Sequence, residues 1–229
     1  MINLCLFEDN QYEDLFPITY SRPFYDTLLG IHSGFDRIQR YFPKTTITLH
    51  CRDYIMGPVK QEHPHSAVNK IHSGMPCLFI NGRIIMNDAL HKALTDQDDG
   101  HDLLFTHMGQ VAAIYLHGNG ISEMKSLLEK IPSNAEIIQA FRPKCIAKEL
   151  EDVIFINNVW DGVAKNDSII EADFQKFQEY GLVKGDIRPM AAIYNENNVL
   201  IEASAIIEDF VVLDARKGPI YIQEGALIE

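Results

Sequence analysis

The sequence predicts an α/β domain with a mixed, mainly parallel sheet, followed by a stretch that turns a corner every six residues. Three observations predict it. Short apolar runs alternate with stretches of helical spacing through most of the chain. From Ile201 the sequence falls into blocks, IEASAI, IEDFVV, LDARKGPIY and IQEGAL. Between these parts, Gly, Pro and Asn cluster from Gly185 to Asn198, which divides the chain into residues 1–190 and 191–229.

The elements follow in order. Ile2 to Phe7 (INLCLF) is an apolar run with the pattern of a buried strand. A long loop then runs through Pro17 and Pro23. Ile31, Phe35, Ile38 and Phe42 recur at helical spacing and are closed by Pro43. TTITLHC, ending at Cys51, is β-branched and strand-like, and Cys77 to Ile80 is a further strand. Asn87 or Asp88 caps a helix reaching Leu94. Two strands, from Leu103 and from Val111, flank a turn at Met108-Gly109. Ile121 to Ile131 is amphipathic, and Ile169, Ile170, Phe174 and Phe177 mark one face of a second long helical stretch.

In the tail, Ile201, Ile207, Leu213, Ile222 and Ile228 are spaced six, six, nine and six apart. Ala205, Val211 and Ala226 each follow one of them by four positions. An antiparallel strand pair would show period two; blocks of six stack such residues into an inward ladder. The nine-residue step holds Lys217-Gly218-Pro219, read as a loop at a corner. Ending in mid-repeat at Ile228-Glu229, the chain reads as part of a longer protein.

Composition narrows the function. A net charge of −12 argues against nucleic-acid and anionic-membrane surfaces, which need clustered Lys and Arg. No segment approaches the ~20 apolar residues of a membrane span. Cys5, Cys51, Cys77 and Cys145 show no C-x-x-C spacing, so reduced thiols in a cytoplasmic protein are expected.

Ligands of open α/β sheets gather at the carboxyl ends of the strands, so the loop after the first strand comes first. It holds Pro17-Ile18-Thr19-Tyr20-Ser21-Arg22-Pro23. Arg22 beside hydroxyls and between prolines fits a phosphate clamp; equally, it fits a structural pair with Glu8, Asp9 or Asp26. The remaining signals have plainer readings. His63-Pro64-His65 reads as a solvated loop, Asp96-Gln97-Asp98-Asp99 as a polar turn, and Trp160 as a helix start packed on the sheet.

The order of parts, with P-x-T-x-x-R-P after the first strand, resembles the GlmU-like sugar nucleotidyltransferases, an alternative branch of the bifunctional N-acetylglucosamine-1-phosphate uridylyltransferase/glucosamine-1-phosphate acetyltransferases. Phe7-Glu8-Asp9, Leu15-Phe16-Pro17-Ile18-Thr19, Arg22-Pro23 and Gly30 stand in the family's opening motif. Asn81-Gly82-Arg83, Trp160-Asp161 and Gly218-Pro219-Ile220 match later features. The resemblance implies a Rossmann-like nucleotidyltransferase domain followed by a left-handed parallel β-helix, assembled as a homotrimer in the full-length protein. It also implies attack of a sugar 1-phosphate on UTP or dTTP, with Mg2+ bridging the phosphates.

On that resemblance Arg22 and Arg83 are catalytic, reaching one pocket, and Asp9, Pro17, Thr19 and Asn81 help bind substrate. The sequence also departs from the pattern. Glu8-Asp9-Asn10-Gln11 stands where a Gly-rich loop is usual, and Ile80-Asn81 where a metal-binding Gly-Asp is usual. Asn is a weaker magnesium ligand than Asp, so Asp88 or Asp161 become the candidate metal ligands. The alternative function is a catalytically impaired module that binds ligands or supports assembly of a β-helix acyltransferase.

Overall fold

The computed structural model describes residues 3–72, 74–96, 100–177, 181 and 183–229. The chain divides into two compact units, Met1–Leu28 with His32–Val163, and Leu29–Ile31 with Ala164–Glu229.

The first unit is built on seven strands: β1 (Asn3–Phe7), β2 (Ile47–Leu49), β3 (Ala67–Val68), β4 (Cys77–Asn81), β5 (Leu103–His107), β6 (Gln110–Leu116) and β7 (Ile146–Glu149). Their order is β7-β5-β6-β4-β1-β2-β3. Strand β6 runs antiparallel to β4 and β5, and the other pairings are parallel. The exception has a local cause. Met108 and Gly109, with φ of 48° and 78°, form the tight turn that reverses the chain into β6.

Side chains alternate across the strands, so each face gathers its own core. On one face Leu4, Leu6, Ile47, Leu49, Leu78 and Ile80 pack with residues of α1 (Gly34–Tyr41), α2 (Met56–Glu62) and α3 (Asp88–Thr95). On the other, Cys5, Phe7, Cys77, Phe79 and Ile114 pack with α4 (Gly118–Leu128) and α5 (Asn134–Phe141). Each fully buried Leu or Ile contributes about 1.5–3 kcal/mol. Ser33 caps α1, and Asn87, rather than Asp88, caps α3 by accepting from Leu90 N at 2.8 Å.

Helix α6 (Val159–Phe174) carries the chain into the second unit. There Asn166 and Asp173 accept hydrogen bonds from the backbone of Gly30 and Ile31, at 2.8 and 2.9 Å. The tail forms three parallel ladders. Asp186–Ile187, Ile206–Ile207 and Leu227–Ile228 make one; Ala192–Tyr194 pairs with Val212–Asp214, and Val199–Ile201 with Ile220–Ile222. The registers match Ile201 with Ile222, Ile207 with Ile228, and Ile193 with Leu213. Ile201, Ala205, Ile207, Leu213 and Ile222 share one buried cluster, and Lys217-Gly218-Pro219 lies between two strands.

Several expectations need correcting. Trp160 is 67% exposed and does not anchor a helix start to the sheet. His63 does not lie in a solvated loop; its Nε2 pairs with Asp26 at 2.8 Å, both side chains 11% exposed. Helix α4 begins three residues before Ile121, and α5 and β7 are elements beyond those the sequence pattern predicts. Gln97 to Asp99 of the acidic turn lie outside the described residues.

Candidate functional site

The strand order reverses between β1 and β4: β2 and β3 extend the sheet on one side, and β4 opens the other. Ligand crevices form at such a switch point, beyond the carboxyl ends of the strands. Here the chain places Glu8 and Asp9 after β1, His50 to Arg52 after β2, and Asn81-Gly82-Arg83 at the end of β4.

Gly82 is what permits this convergence. Its N donates to Phe7 O at 2.8 Å, and a Cβ on it would lie 2.8 Å from the Tyr25 ring and 3.1 Å from Phe7 O. Only glycine passes there, and its passage delivers Arg83 to Asp9.

Asp9 and Arg83 form a two-pronged ion pair, Nε to Oδ1 at 2.8 Å and Nη2 to Oδ2 at 2.6 Å, with side chains 0% and 2% exposed. The forked geometry suits a guanidinium and a carboxylate. Asp9 also accepts from Asn81 Nδ2 at 2.8 Å, Asn134 Nδ2 at 3.0 Å and Gln11 N at 3.2 Å. Arg83 donates further to Gln11, Asn157, Gln110 and the Ile156 carbonyl. Asn81 Oδ1 accepts from Arg83 N at 3.0 Å, which closes the network.

A second buried pair stands beside it. Arg52 donates from both N and Nε to Glu8 Oε2, at 3.1 and 3.2 Å. Burial pushes Glu8 up to about 7, although Arg52 alongside pulls it down. Arg52 Nη2 donates to the carbonyls of Thr19 at 2.6 Å and Arg22 at 3.1 Å, and its guanidinium lies 4.0 Å from the Tyr12 ring centre. Thr19, fully buried, donates from Oγ1 to Tyr12 O at 2.7 Å. The loop carrying Arg22 is thus held by Arg52 and Thr19, with exposed Pro17 receiving the Tyr20 N–H.

The structure separates the two expected catalytic arginines. Arg83 is buried and bonded throughout to protein. Arg22 is exposed and lines a cleft of about 500 Å³ with Asp26, Asp36, Glu62 and His63. Neither structural pairing considered for Arg22 with Glu8 or Asp9 forms, because those carboxylates are taken by Arg52 and Arg83. His50, also missed, is 5% exposed and lines a cleft of about 430 Å³ with Tyr12, Arg52, Lys125 and Lys130. Burial lowers it to about 4, so its ring is neutral.

The donor set does not fit a magnesium ion. Asp9 and Glu8 are the carboxylates at the crevice, and Arg83 and Arg52 are already paired with them. Asn81 turns its amide nitrogen, not its oxygen, towards Asp9. Asp161 accepts from the backbone of Asn157 and Asn158, both at 2.9 Å, as a helix cap. Asp88 receives the Tyr41 hydroxyl at the start of α3. Among the described residues no group of three His, Cys, Asp or Glu is placed to hold a metal. The cysteines are free; burial pushes Cys51 and Cys77 up to about 12, keeping them as thiols. No helix among the described residues is long and apolar enough to cross a membrane.

Residues 4–180 match the family described as sugar nucleotidyl transferase. The chain belongs to this family. Its sheet is mixed and mainly parallel. No curated protein matches this family member in sequence. Among solved structures it is similar to a protein described as a glucose-1-phosphate thymidylyltransferase from Bacillus anthracis, at 13% identity and TM-score 0.47, covering 75% of this chain and 96% of the other. An inositol-1-phosphate CTP transferase from T. maritima gives 10% and 0.46, covering 74% and 96%. A protein described as a mannose-1-phosphate geranyltransferase from Thermus thermophilus gives 8% and 0.46, covering 99% and 90%. At scores this low none of the three carries an argument.

Proposed function

We propose that this family member is a GlmU-like sugar-1-phosphate nucleotidylyltransferase, in which an oxygen of a sugar 1-phosphate attacks the α-phosphate of UTP or dTTP and pyrophosphate leaves. The observation that carries the reading is the gathering of Asp9, Asn81 and Arg83 at the switch point, in a chain matched to the family over residues 4–180. Positioning and charge neutralisation are what such a transfer asks of a protein. Arg22, exposed on a loop that Arg52 holds in shape, is the cation offered to the nucleotide phosphates, and Thr19 supports the same loop. Arg83 and Asn81 fix Asp9 and the crevice floor, and the crevice does not supply ligands for magnesium.

We read the tail as coils of a left-handed parallel β-helix, supported by its parallel ladders and by matched registers such as Ile201 with Ile222. The functional division then falls near residue 190, the protein is a cytoplasmic homotrimer, and nucleoside triphosphate and sugar 1-phosphate are its ligands. One observation favours the second reading, a catalytically impaired module serving a β-helix acyltransferase: the Asp9–Arg83 network satisfies itself and leaves Arg83 no free donor for a ligand.

Pyrophosphate release from UTP or dTTP, with a panel of sugar 1-phosphates, separates the two. Release that Arg22→Ala abolishes supports the transferase. Nucleotide binding without release from any sugar of the panel supports the module.

A further inference from the structure

The crevice holds a cation cage, and the cation in it is a side chain. Six oxygens converge on the Arg83 guanidinium: Asp9 Oδ1 and Oδ2 at 2.8 and 2.6 Å, Gln11 Oε1 at 2.7 Å, Asn157 Oδ1 at 2.6 Å, and Gln110 Oε1 and the Ile156 carbonyl at 3.3 Å. One carboxylate, three amide oxygens and a backbone carbonyl are the ligand types that hard divalent cations take. Asn134 and Asn81 turn their amide nitrogens to Asp9 from the outer side, which fixes the carboxylate in its orientation towards Arg83. Phe155 closes the cage, its ring centre 5.3 Å from the guanidinium carbon.

We propose that Arg83 is the resident cation of the switch-point crevice, so that the charge a divalent metal ion supplies in the resembled family is built into this chain. A metal ion and the guanidinium compete for the same oxygens, and the guanidinium is covalently tethered. The crevice is therefore metal-independent: Asp9 has no charge left to offer an ion, and the positive charge there is fixed on Arg83. The inference concerns the same site as the function proposed above, and rests on it only for the identity of the ligand.

The test works on the full chain without any ligand. Free Mn2+ is followed by electron paramagnetic resonance as protein is added, using the parent, Arg83→Ala and Asp9→Asn. The parent and Asp9→Asn are expected to leave the Mn2+ signal unchanged. Arg83→Ala empties the cage but keeps its oxygens; it is expected to bind Mn2+ at least about tenfold more tightly than the parent. Its melting temperature is expected to fall and to recover partly in low millimolar guanidinium, with urea at the same concentration giving no recovery. A stoichiometric Mn2+ site in the parent that Asp9→Asn removes would overturn the proposal. So would an Arg83→Ala protein that melts with the parent and binds neither cation. Should Arg83→Ala fail to fold, the parent titration decides alone. Nucleotide binding, measured separately, tests the proposed function and leaves the Mn2+ result standing either way.

Discussion

The two units rely on opposite kinds of interior. At the crevice of the first, two ion pairs lie almost out of water, Asp9 with Arg83 and Glu8 with Arg52, each tied to further polar groups. In the ladders of the second, the interior is Ile, Leu, Val and Ala, and the ion pairs of Asp214 with Arg216 and of Arg188 with Asp186 sit outside. A stacked aliphatic ladder tolerates repacking, since any branched residue of similar volume fits. A buried ionic network does not: removing one member strands the charge of another. Such a network is weak evidence for stability, and its cost is retained where a site needs fixed charge and orientation.

This contrast predicts a ranking of effects. Arg83→Ala leaves Asp9 buried without its counter-charge, and equilibrium urea unfolding of the first unit is expected to show a loss of about 4 kcal/mol. A loss below about 1 kcal/mol would mean that water reaches Asp9 and that the network is no more than a surface pair.

The next effect is tied to pH. His50 falls from 6.5 to about 4 on folding, so the native state binds fewer protons than the unfolded one between those values. Its contribution is fully present above pH 6.5 and is lost as the pH falls towards 4, by about 3 kcal/mol. Glu8, raised to about 7, acts in the opposite sense over much of the same window. The parent's own pH profile therefore mixes the two. The stability difference between parent and His50→Asn, followed from pH 7 to pH 4, isolates His50; a difference that stays flat would remove the buried neutral ring from the account.

In the ladders Ile207→Ala is expected to cost about 2 kcal/mol, confined to the second unit, with the unfolding of the first unchanged. Ser133→Ala removes the capping box of α5, for about 1 kcal/mol in the first unit. Smallest in stability is Arg22→Ala, which is expected to melt with the parent while nucleotide binding is lost. Equal binding by both proteins would take Arg22 out of the site.

What the sequence disclosed follows the same contrast. Ile201, Ile207 and Leu213 announced themselves by their six-residue spacing, and they fall one on each of the three ladders; the residues that the registers stack, such as Ile201 on Ile222 and Ile207 on Ile228, lie a full coil apart. The crevice has no period. Asp9, Asn81, Asn134 and Asn157 come from four separate stretches of chain that meet at the Asp9–Arg83 pair, and nothing local to any of them says so. The N-G-R motif pointed to Arg83 but not to its partner, and the close passage of Gly82 against Tyr25 explains the motif in steric terms. Arg52 carried no signal beyond following a predicted strand. Helix α5 did carry one: Ser133 and Glu136 have the spacing of a capping box. Trp160, read as a helix start packed on the sheet, is exposed instead, so an aromatic at a helix start is no guide to burial.

The most direct measurement is a calorimetric titration of the full chain with UTP and with dTTP, first in EDTA and then with excess magnesium. Binding of one nucleotide to one chain, with an affinity that magnesium leaves unchanged, is the predicted result. Binding that appears only with magnesium would contradict the arginine-filled crevice, and failure of both nucleotides to bind under either condition would contradict the nucleotidyl transfer proposed for it.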